Sequence, residues 1–286
     1  MTYPEVHSRF VLANNVRTHY SECGDGKPIV ALHGGGAGSS GRAGLGLVMP
    51  LLGRDFRVLA PDSIGGFGET DPEAPVPYGL ISRARHTGDF IDALCLDKVV
   101  VLGNSQGAWS GVYYAMHNPD RVEKLVIVSS LTIAGAMGIK QAPTEAFRAL
   151  TGYDGSREGM RRLLEAILVD KNRITDALID ERQATATRPG AWESFQRMAK
   201  AIDYVRNDPV LSYQTRWQQI LPALTERIPT LILWGTEDTF ALPETARALA
   251  GMLPAARLEM IEGAGHQVQT DVPERSADII REFVNA

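Results

Sequence analysis

The junction between a short strand and a serine turn at residues 99–107 constrains the fold of this chain most. A β-branched and leucine run, Val99–Leu102, leads directly into the pentapeptide Gly-Asn-Ser-Gln-Gly at Gly103–Gly107, and a helix is predicted over Ala108–His117. A serine at such a junction presents its hydroxyl beside a helix N-terminus, and the flanking glycines relieve the crowding of the turn. The pattern predicts that Ser105 is a nucleophile, although an ordinary turn serine stays open until catalytic partners are found.

The composition is that of an ordinary globular protein, with 286 residues, 44% of them hydrophobic and 22% charged. A net charge of −5 without a cluster of lysines or arginines argues against nucleic-acid binding. No apolar run reaches the roughly 18 residues of a membrane span, and no basic segment followed by an apolar run opens the sequence. We therefore expect a cytoplasmic protein without membrane contact, in which Cys23 and Cys95 are buried free thiols.

Short apolar runs alternate with helical segments along most of the chain. Each run is continuous rather than alternating, which is typical of strands buried on both faces of a parallel sheet. The predicted strands are Pro28–Leu32, Phe56–Ala60, Lys98–Leu102, Leu125–Ser129, Thr230–Trp234 and Leu258–Ile261. The helices predicted beside them are Ser82–Leu94, Ala108–His117, Glu244–Met252 and Pro273–Val284. This order predicts an α/β fold with a mostly parallel, doubly wound sheet, which an antiparallel hairpin at Ser8–Glu22 enters.

The alternation stops between the fourth and fifth of these strands, where the sequence predicts helices only. They are Ala142–Thr151, Arg157–Leu168, Thr175–Arg188 and Trp192–Val205. A long helical insertion between two strands of one sheet predicts a cap over the carboxyl edge of that sheet. We therefore expect the core to comprise residues 1–131 and 229–286, and the helical cap to comprise residues 132–228.

A nucleophilic serine needs a base and a carboxylate that orients the base. His266 follows a predicted strand in a glycine-rich turn, and Asp238 follows another, with Glu237 as its nearest rival. The order Ser105, Asp238, His266 is the one expected of a serine hydrolase built on this kind of sheet. His33 is interpreted as shaping its glycine loop, and surface or core positions are expected for His7, His19, His86 and His117.

Donors for a developing oxyanion complete the predicted site. The backbone N–H of Gln106 follows the nucleophile, and the loop His33–Gly38 supplies a second donor, for which Gly35 is the candidate. A phosphate-binding loop is disfavoured, because no Gly-Lys-Ser/Thr ending is present. Nothing in the sequence requires a metal ion or an organic cofactor.

These motifs resemble those of the α/β-hydrolase family, and more specifically those of its meta-cleavage-product hydrolases. The resemblance extends over nearly the whole chain and is carried by His33–Gly38, the Asp62–Gly68 loop, Gly103–Ser105 and the cap segment Leu178–Phe195. It implies cleavage of a carbon–carbon bond in an acidic ring-fission product of aromatic degradation, giving a hydroxydienoate and a carboxylic acid. A homodimer or a larger homo-oligomer is compatible with it.

The resemblance also implies which residues bind the substrate. Arg182 would pair with the carboxylate and enolate end, because a guanidinium suits bidentate pairing with such groups. Asn104 would belong to the same polar subsite. Gly34 and Gly36 in the glycine loop are further candidates for substrate binding, as are Gln267 and Trp109. A solvated helix face is the alternative for Arg182, since acidic residues precede it.

Three positions depart from the family pattern. Gln267 follows the histidine where the family has tryptophan, and Gly44 stands where it has asparagine. Both positions line the substrate site in the family, so the preferred ring-fission product is left open. The helix after the serine turn begins Gly107-Ala108-Trp109 where a glycine pair is commoner, and Trp109 is expected either to narrow the pocket or to join the core.

Two other functions share most of these features. A carboxylesterase or lactonase would use the same triad on an ester, and a non-catalytic ligand receptor can be built on the same fold. The complete triad argues against the receptor. A dehalogenase or epoxide hydrolase is disfavoured, because those members of the fold use an aspartate where this chain has Ser105.

Overall fold

Eight strands form a single twisted sheet in the computed structural model, which describes residues 3–286. The strands are β1 (His7–Ala13), β2 (Val16–Cys23), β3 (Lys27–Leu32), β4 (Phe56–Pro61), β5 (Val99–Asn104), β6 (Val122–Val128), β7 (Thr230–Gly235) and β8 (Arg257–Ile261). Their order across the sheet is β1-β2-β4-β3-β5-β6-β7-β8. The pairs β1–β2 and β2–β4 are antiparallel, and the remaining pairs are parallel. The predicted hairpin and the doubly wound parallel sheet are confirmed.

The central strands are buried on both faces, as their continuous apolar sequences predict. Every residue of β5 and of β7 is buried. One face of the sheet packs against a core that contains Phe90 and Trp234, and the other against a core that contains Phe56 and Leu231. Buried parallel strands of this kind end at one common edge, so the loops after β3, β5, β7 and β8 meet there.

Helices cover the sheet and fill the long connection between β6 and β7. The helices packed around the sheet are α1 (Gly41–Leu45), α2 (Met49–Leu52), α3 (Leu80–Ala93), α4 (Gln106–His117), α12 (Pro243–Met252), α13 (Val268–Asp271) and α14 (Pro273–Asn285). Those between β6 and β7 are α5 (Leu131–Ala136), α6 (Glu145–Thr151), α7 (Arg157–Ile167), α8 (Asp176–Thr187), α9 (Ala191–Asn207), α10 (Pro209–Tyr213) and α11 (Ile220–Arg227). Within residues 3–286, no helix is both long and apolar enough to cross a bilayer. The predicted domain division at residues 132 and 228 stays a prediction.

The cap helices approach the core backbone very closely at two glycines with left-handed φ angles. A Cβ on Gly38 (φ +69°) would lie 2.1 Å from the carbonyl oxygen of Arg182 in α8. A Cβ on Gly66 (φ +82°) would lie 2.1 Å from the carbonyl oxygen of Ala191 in α9. Only glycine fits such contacts, so these loops are shaped to seat the cap.

The expectation for the cysteines was correct for one residue and wrong for the other. Cys23 is buried in β2, whereas Cys95 is exposed after the end of α3 with a φ of +52°. The helix ends in a left-handed turn that carries the Cys95 side chain to the surface, which its apolar neighbours in the sequence did not indicate.

Candidate active site

Ser105 lies in the sharp turn between β5 and α4 and has a φ of +56°, which is unusual for a residue with a side chain. The flanking glycines are required by close packing. A Cβ on Gly103 would lie 2.4 Å from the Cα of Ala108, and one on Gly107 would lie 2.2 Å from the carbonyl oxygen of Leu32. The turn therefore holds Ser105 at the N-terminus of α4 in the strained geometry expected of a nucleophile.

His266 and Asp238 form a buried, hydrogen-bonded pair beyond the carboxyl ends of β8 and β7. His266 Nδ1 lies 3.0 Å from Asp238 Oδ2, and the two residues are 3% and 1% exposed. The other carboxylate oxygen, Oδ1, accepts hydrogen bonds from the N–H groups of Phe240 and Ala241. Its sequence rival Glu237 is exposed. Asp238 is thus fixed by the backbone and in turn fixes the histidine ring.

The Nε2 atom of His266 is buried and has no hydrogen-bond partner among residues 3–286. Catalytic hydrogen bonds are often long in ligand-free enzymes and tighten when substrate binds. The turn that carries Ser105 is itself anchored, because the Ser130 hydroxyl donates to the Ser105 carbonyl at 2.8 Å. The unpartnered Nε2 of His266 is therefore the nitrogen available to take the proton of the Ser105 hydroxyl in the predicted triad.

Asn104 connects the serine turn with the histidine loop. Its Nδ2 donates to the carbonyl oxygens of Val128, at 3.2 Å, and His266, at 3.0 Å. Its Oδ1 faces the glycine loop, 3.3 Å from where a Cβ on Gly34 would stand. The amide nitrogen of Asn104 is therefore used within the protein, where it holds the backbone of His266, and the place of Asn104 in the polar subsite stays a prediction.

Two backbone N–H groups next to the serine have no hydrogen-bond acceptor within residues 3–286, those of Gly35 and Gln106. The missing side chain of Gly35 matters here, because a Cβ would lie 1.9 Å from Oε1 of Gln106. Gly34 lies beside the nucleophile, where a Cβ would be 3.6 Å from the Cβ of Ser105. Unpaired donors beside a nucleophile are what an oxyanion requires.

Arg182 reaches from α8 of the cap to the glycine loop of the core. The residue is 1% exposed, and its Nη2 donates to the Ala37 carbonyl at 3.1 Å and to the Ser39 hydroxyl at 2.8 Å. A Cβ on Gly36 would lie 3.4 Å from Nη2. Its Nε is buried without a partner among the described residues. Burial lowers the pKa of Arg182 to about 10, so the guanidinium stays charged at neutral pH and retains a free donor.

The departures from the family pattern have distinct surroundings. Trp109 is 2% exposed and stacks between Trp217, at a centroid distance of 4.7 Å, and Tyr113, at 5.3 Å. Gln267 is 5% exposed, and its Oε1 accepts from the Thr270 hydroxyl in the adjoining helix. Trp109 is thus packed within the core beneath the cap, and the Gln267 amide is engaged by its own helix.

Gly44 lies in α1, and its missing side chain leaves space beside the glycine loop. A Cβ there would meet only the Cβ of His33, at 3.4 Å, within 4 Å. Its carbonyl oxygen accepts from Gln269 Nε2 at 3.0 Å, whereas Gln269 Oε1 is buried without a partner in the described chain. The position is therefore more open than it would be with an asparagine.

Sequence reasoning missed two buried charged residues near the site. Arg83 of α3 is 1% exposed and lies beneath the glycine loop. Asp271 of α13 is 3% exposed; its Oδ1 accepts from the N–H groups of Val169 and Asp170, and its Oδ2 from that of Gly265. Burial raises the pKa of Asp271. Asp271 therefore ties the segment after α7 to the histidine loop, and no pattern in the sequence indicated that Arg83 or Asp271 would be buried.

A second Ser–His–Asp alignment occurs where the sequence predicted a surface or core histidine. The Ser8 hydroxyl lies 2.8 Å from Nε2 of His19, whose Nδ1 lies 2.7 Å from Oδ2 of Asp62. Asp62 also accepts from the N–H groups of Gly41 and Glu69. Ser8, however, belongs to the regular edge strand β1, paired with β2, rather than to a turn at a helix N-terminus. The alignment therefore connects three strands and lacks the setting of Ser105.

A cavity of about 550 Å³ adjoins the site between the end of α7 and the loop after β7. Its lining includes Asp238 and His266 but not Ser105 or Arg182. Within residues 3–286, no three His, Cys, Asp or Glu side chains are grouped to hold a metal ion. The cavity therefore borders the histidine and the aspartate, and the serine and Arg182 are not part of its wall.

Known proteins resemble this chain in both sequence and structure. A family model described as alpha/beta hydrolase fold matches residues 27–273. The 2-hydroxy-6-oxo-2,4-heptadienoate hydrolase of Pseudomonas putida is 32% identical over 283 residues, which cover 97% of this chain and 96% of the relative. The 2-hydroxymuconate semialdehyde hydrolase of a Pseudomonas species is 31% identical, covering 98% and 94% of the two chains.

A solved structure agrees with these relatives. The meta-cleavage product hydrolase from Pseudomonas fluorescens, in a serine-to-alanine variant complexed with acetates, has a TM-score of 0.82 and 29% sequence identity, covering 97% of each chain. The family match, the full-length relatives and this structural likeness agree with the serine, histidine and aspartate at the strand ends. The chain belongs to the α/β-hydrolase fold family and, within it, to the meta-cleavage-product hydrolases.

Proposed function

We propose that this protein hydrolyses the carbon–carbon bond of a 2-hydroxy-6-oxohexa-2,4-dienoate-type ring-fission product. The observation that carries the proposal is Arg182, a buried guanidinium with a free Nε donor beside the loop that holds Gly35. A buried cation beside the glycine loop suits a substrate that carries a carboxylate, and the named substrates of the relatives have one. An ordinary neutral ester gives that cation nothing to bind.

The proposed reaction begins with ketonisation. Arg182 holds the carboxylate and the enolate oxygen, the enol loses its proton, and the carbon next to the distal ketone gains one with His266 as the carrier. This step converts that neighbouring carbon into a methylene group. The bond between the methylene and the ketone carbon can then break with its electron pair delocalised towards the Arg182 end.

The second stage is attack on the ketone carbon. His266 takes the proton of the Ser105 hydroxyl, or of a water held by it, and an oxygen–carbon bond forms. The carbonyl oxygen becomes an oxyanion that accepts from the N–H groups of Gly35 and Gln106. Collapse of this intermediate breaks the carbon–carbon bond, and the leaving hydroxydienoate takes up a proton from His266. In the acyl-enzyme route, water then releases the carboxylic acid.

A panel of substrates tests the proposal. The purified protein is mixed with ring-fission dienoates that carry alkyl or aryl ketones, and with neutral aryl esters, while loss of dienoate colour and release of phenol are followed. We expect dienoate turnover that Ser105→Ala abolishes. Turnover of esters alone would identify a carboxylesterase or lactonase, and binding without turnover of either class would identify a ligand receptor.

We also propose that the protein is cytoplasmic and assembles as a homodimer or a larger homo-oligomer. Exposed apolar side chains support self-association, since Leu12 is 63% exposed on the edge strand β1 and Val210 and Tyr213 are 73% and 72% exposed on α10. Sedimentation velocity tests the assembly, and a single monomeric species at micromolar concentration contradicts it. Cell fractionation tests the location.

A further inference from the structure

Arg83 is a large, fully buried side chain beneath the proposed oxyanion hole, and neither the triad nor the cap explains why a charged residue is found there. It extends from α3 to the carboxyl ends of β3, β4 and β5. Among residues 3–286 it has no carboxylate partner, and its guanidinium lies 5.0 Å from the ring centroid of Phe67. Burying an uncompensated cation is unfavourable for folding in general. A side chain kept under such conditions calls for a reason beyond packing.

The contacts of Arg83 include the peptide that carries the Gly35 donor and the side chain of Gln106. Its Nη2 donates to the carbonyl oxygens of His33 and of Gly34, the latter at 3.3 Å. Its Nη1 donates to Gln106 Oε1 at 3.4 Å, and its Nε donates to the Ser63 hydroxyl at 2.8 Å. One guanidinium thus links the glycine loop, the first residue of α4 and the loop after β4.

The contact with Gly34 acts directly on the Gly35 donor. The Gly34 carbonyl and the Gly35 N–H belong to one planar trans peptide group, in which they point in opposite directions. Arg83 therefore fixes the direction of the Gly35 N–H by holding the other end of its peptide. Hydrogen bonds to a carbonyl also polarise the peptide and strengthen its N–H as a donor.

His33 adds a second donor to the same carbonyl. The Ser63 N–H donates to Nε2 of His33 at 3.0 Å, so Nδ1 carries the proton and donates to the Gly34 carbonyl at 2.7 Å. Burial lowers the pKa of His33 to about 3, which keeps the ring neutral. The positive charge behind this peptide is therefore that of Arg83, and burial lowers the pKa of Arg83 only to about 9.

We propose that Arg83 is the positioning residue of the oxyanion hole, orienting and polarising the Gly34–Gly35 peptide and holding Gln106 in place. This inference rests on the proposed role of Gly35 and Gln106. A positive charge in a buried, water-poor site stabilises an anion that forms nearby more strongly than one in water. Arg83 thereby favours the tetrahedral intermediate over the bound substrate, which raises kcat with little effect on KM.

A trifluoromethyl ketone labelled with ¹³C at the carbonyl measures directly how strongly the site stabilises an oxyanion. The Ser105 oxygen adds to the ketone carbon, the serine proton passes to His266, and the ketone oxygen becomes a hemiketal oxyanion in the hole. The ¹³C shift followed against pH gives the pKa of that hemiketal. We expect Arg83→Gln to raise it by at least about one unit and to lower kcat about tenfold or more, since one pKa unit corresponds to a tenfold change in equilibrium.

Arg85→Gln is the matched control, because Arg85 is exposed two residues along the same helix. It should leave the hemiketal pKa and kcat unchanged. Arg83→Lys keeps the charge but cannot bridge Gly34 and Gln106, so a smaller rise is expected, and this variant carries the test where Arg83→Gln does not fold. An unchanged hemiketal pKa in the folded variants, whatever their melting temperature, overturns the proposal.

The outcome is independent of the carbon–carbon assignment. A neutral aryl ester uses the same oxyanion hole, so the effect of Arg83→Gln on ester kcat is measured alongside the dienoate. If the wild-type protein does not turn over the dienoate, the proposed function is refuted and the role of Arg83 is not affected. An unchanged ester kcat together with an unchanged hemiketal pKa would refute the role of Arg83 alone.

Discussion

Replacing Arg182 by alanine should separate acidic substrates from neutral ones. The guanidinium is 1% exposed, carries its charge at neutral pH and has a free Nε donor, while its Nη2 is bound to the Ala37 carbonyl and the Ser39 hydroxyl. A dienoate carboxylate would pair with the free part of this group. The variant loses that pairing as well as the two contacts that connect the cap to the glycine loop.

The two losses have different magnitudes and different selectivity. A hydrogen bond between a charged donor and a carboxylate contributes about 1.5–3 kcal/mol, and the buried setting favours the upper end. About 3 kcal/mol corresponds to roughly a hundredfold in kcat/KM, and it applies to the dienoate only. The contacts with Ala37 and Ser39 contribute about 1 kcal/mol each, and their loss affects every substrate alike. The ratio of dienoate to ester kcat/KM should therefore fall about a hundredfold.

Steady-state kinetics on one dienoate and one neutral aryl ester measures this ratio. Arg188→Ala is the matched control, because Arg188 follows α8 and its Nη2 donates to the Thr70 carbonyl at 2.7 Å, away from the serine. It removes a comparable contact between cap and core and should leave the ratio unchanged. Equal losses on both substrates in Arg182→Ala would show that this arginine supports the loop and does not bind the carboxylate.

Three further predictions concern the Asp238–His266 pair, the proposed oxyanion hole at Gly35 and the buried histidine His86. Asp238→Asn places an amide N–H₂ against Nδ1 of His266 and favours the wrong tautomer, so kcat should fall roughly a thousandfold or more; a loss below tenfold in stopped-flow assays contradicts this role. Gly35→Ala should push the Gln106 side chain away at a cost of about 1–3 kcal/mol, and adding Gln106→Ala should recover stability in urea unfolding; no recovery would mean that the clash lies elsewhere. Burial lowers the pKa of His86 from 6.5 to about 4, so its contribution to stability is complete above pH 6.5 and is lost as the pH falls towards 4. By pH 5 the protonation of His86 should lower the unfolding free energy by about 2 kcal/mol. If the unfolding free energy falls by the same amount between pH 7 and pH 5 in the wild type and in His86→Gln, His86 does not contribute to the pH dependence.

The candidate catalytic residues could be predicted from the sequence because each of them comes shortly after a predicted strand. Ser105, Asp238 and His266 each follow a short strand, and the parallel order of those strands brings their ends to one edge. The helical character between β6 and β7 was equally visible. Strand limits shifted, as β5 continues to Asn104 because the chain stays extended up to the nucleophile turn.

What the sequence did not reveal was the use of side chains in the interior. Arg83 and Asp271 are charged residues on helices, where a solvent-facing position is the usual outcome. The amide nitrogen of Asn104 binds the His266 carbonyl, a contact that depends on how two distant loops meet. Short elements such as α10 and α13 have too few residues for a periodic pattern.

The anchoring of residues 169 and 170 on Asp271 limits how the cap can be exchanged among relatives. The same carboxylate holds the Gly265 N–H, next to the catalytic histidine, and the His266 N–H donates to the Ile167 carbonyl at 3.1 Å. A chimera that takes its cap from another hydrolase replaces partners of the histidine loop as well as the wall of the pocket. Substrate range and catalytic competence are therefore coupled in this chain, and a transplanted cap has to carry a matching segment at residues 167–170 to leave the histidine in place.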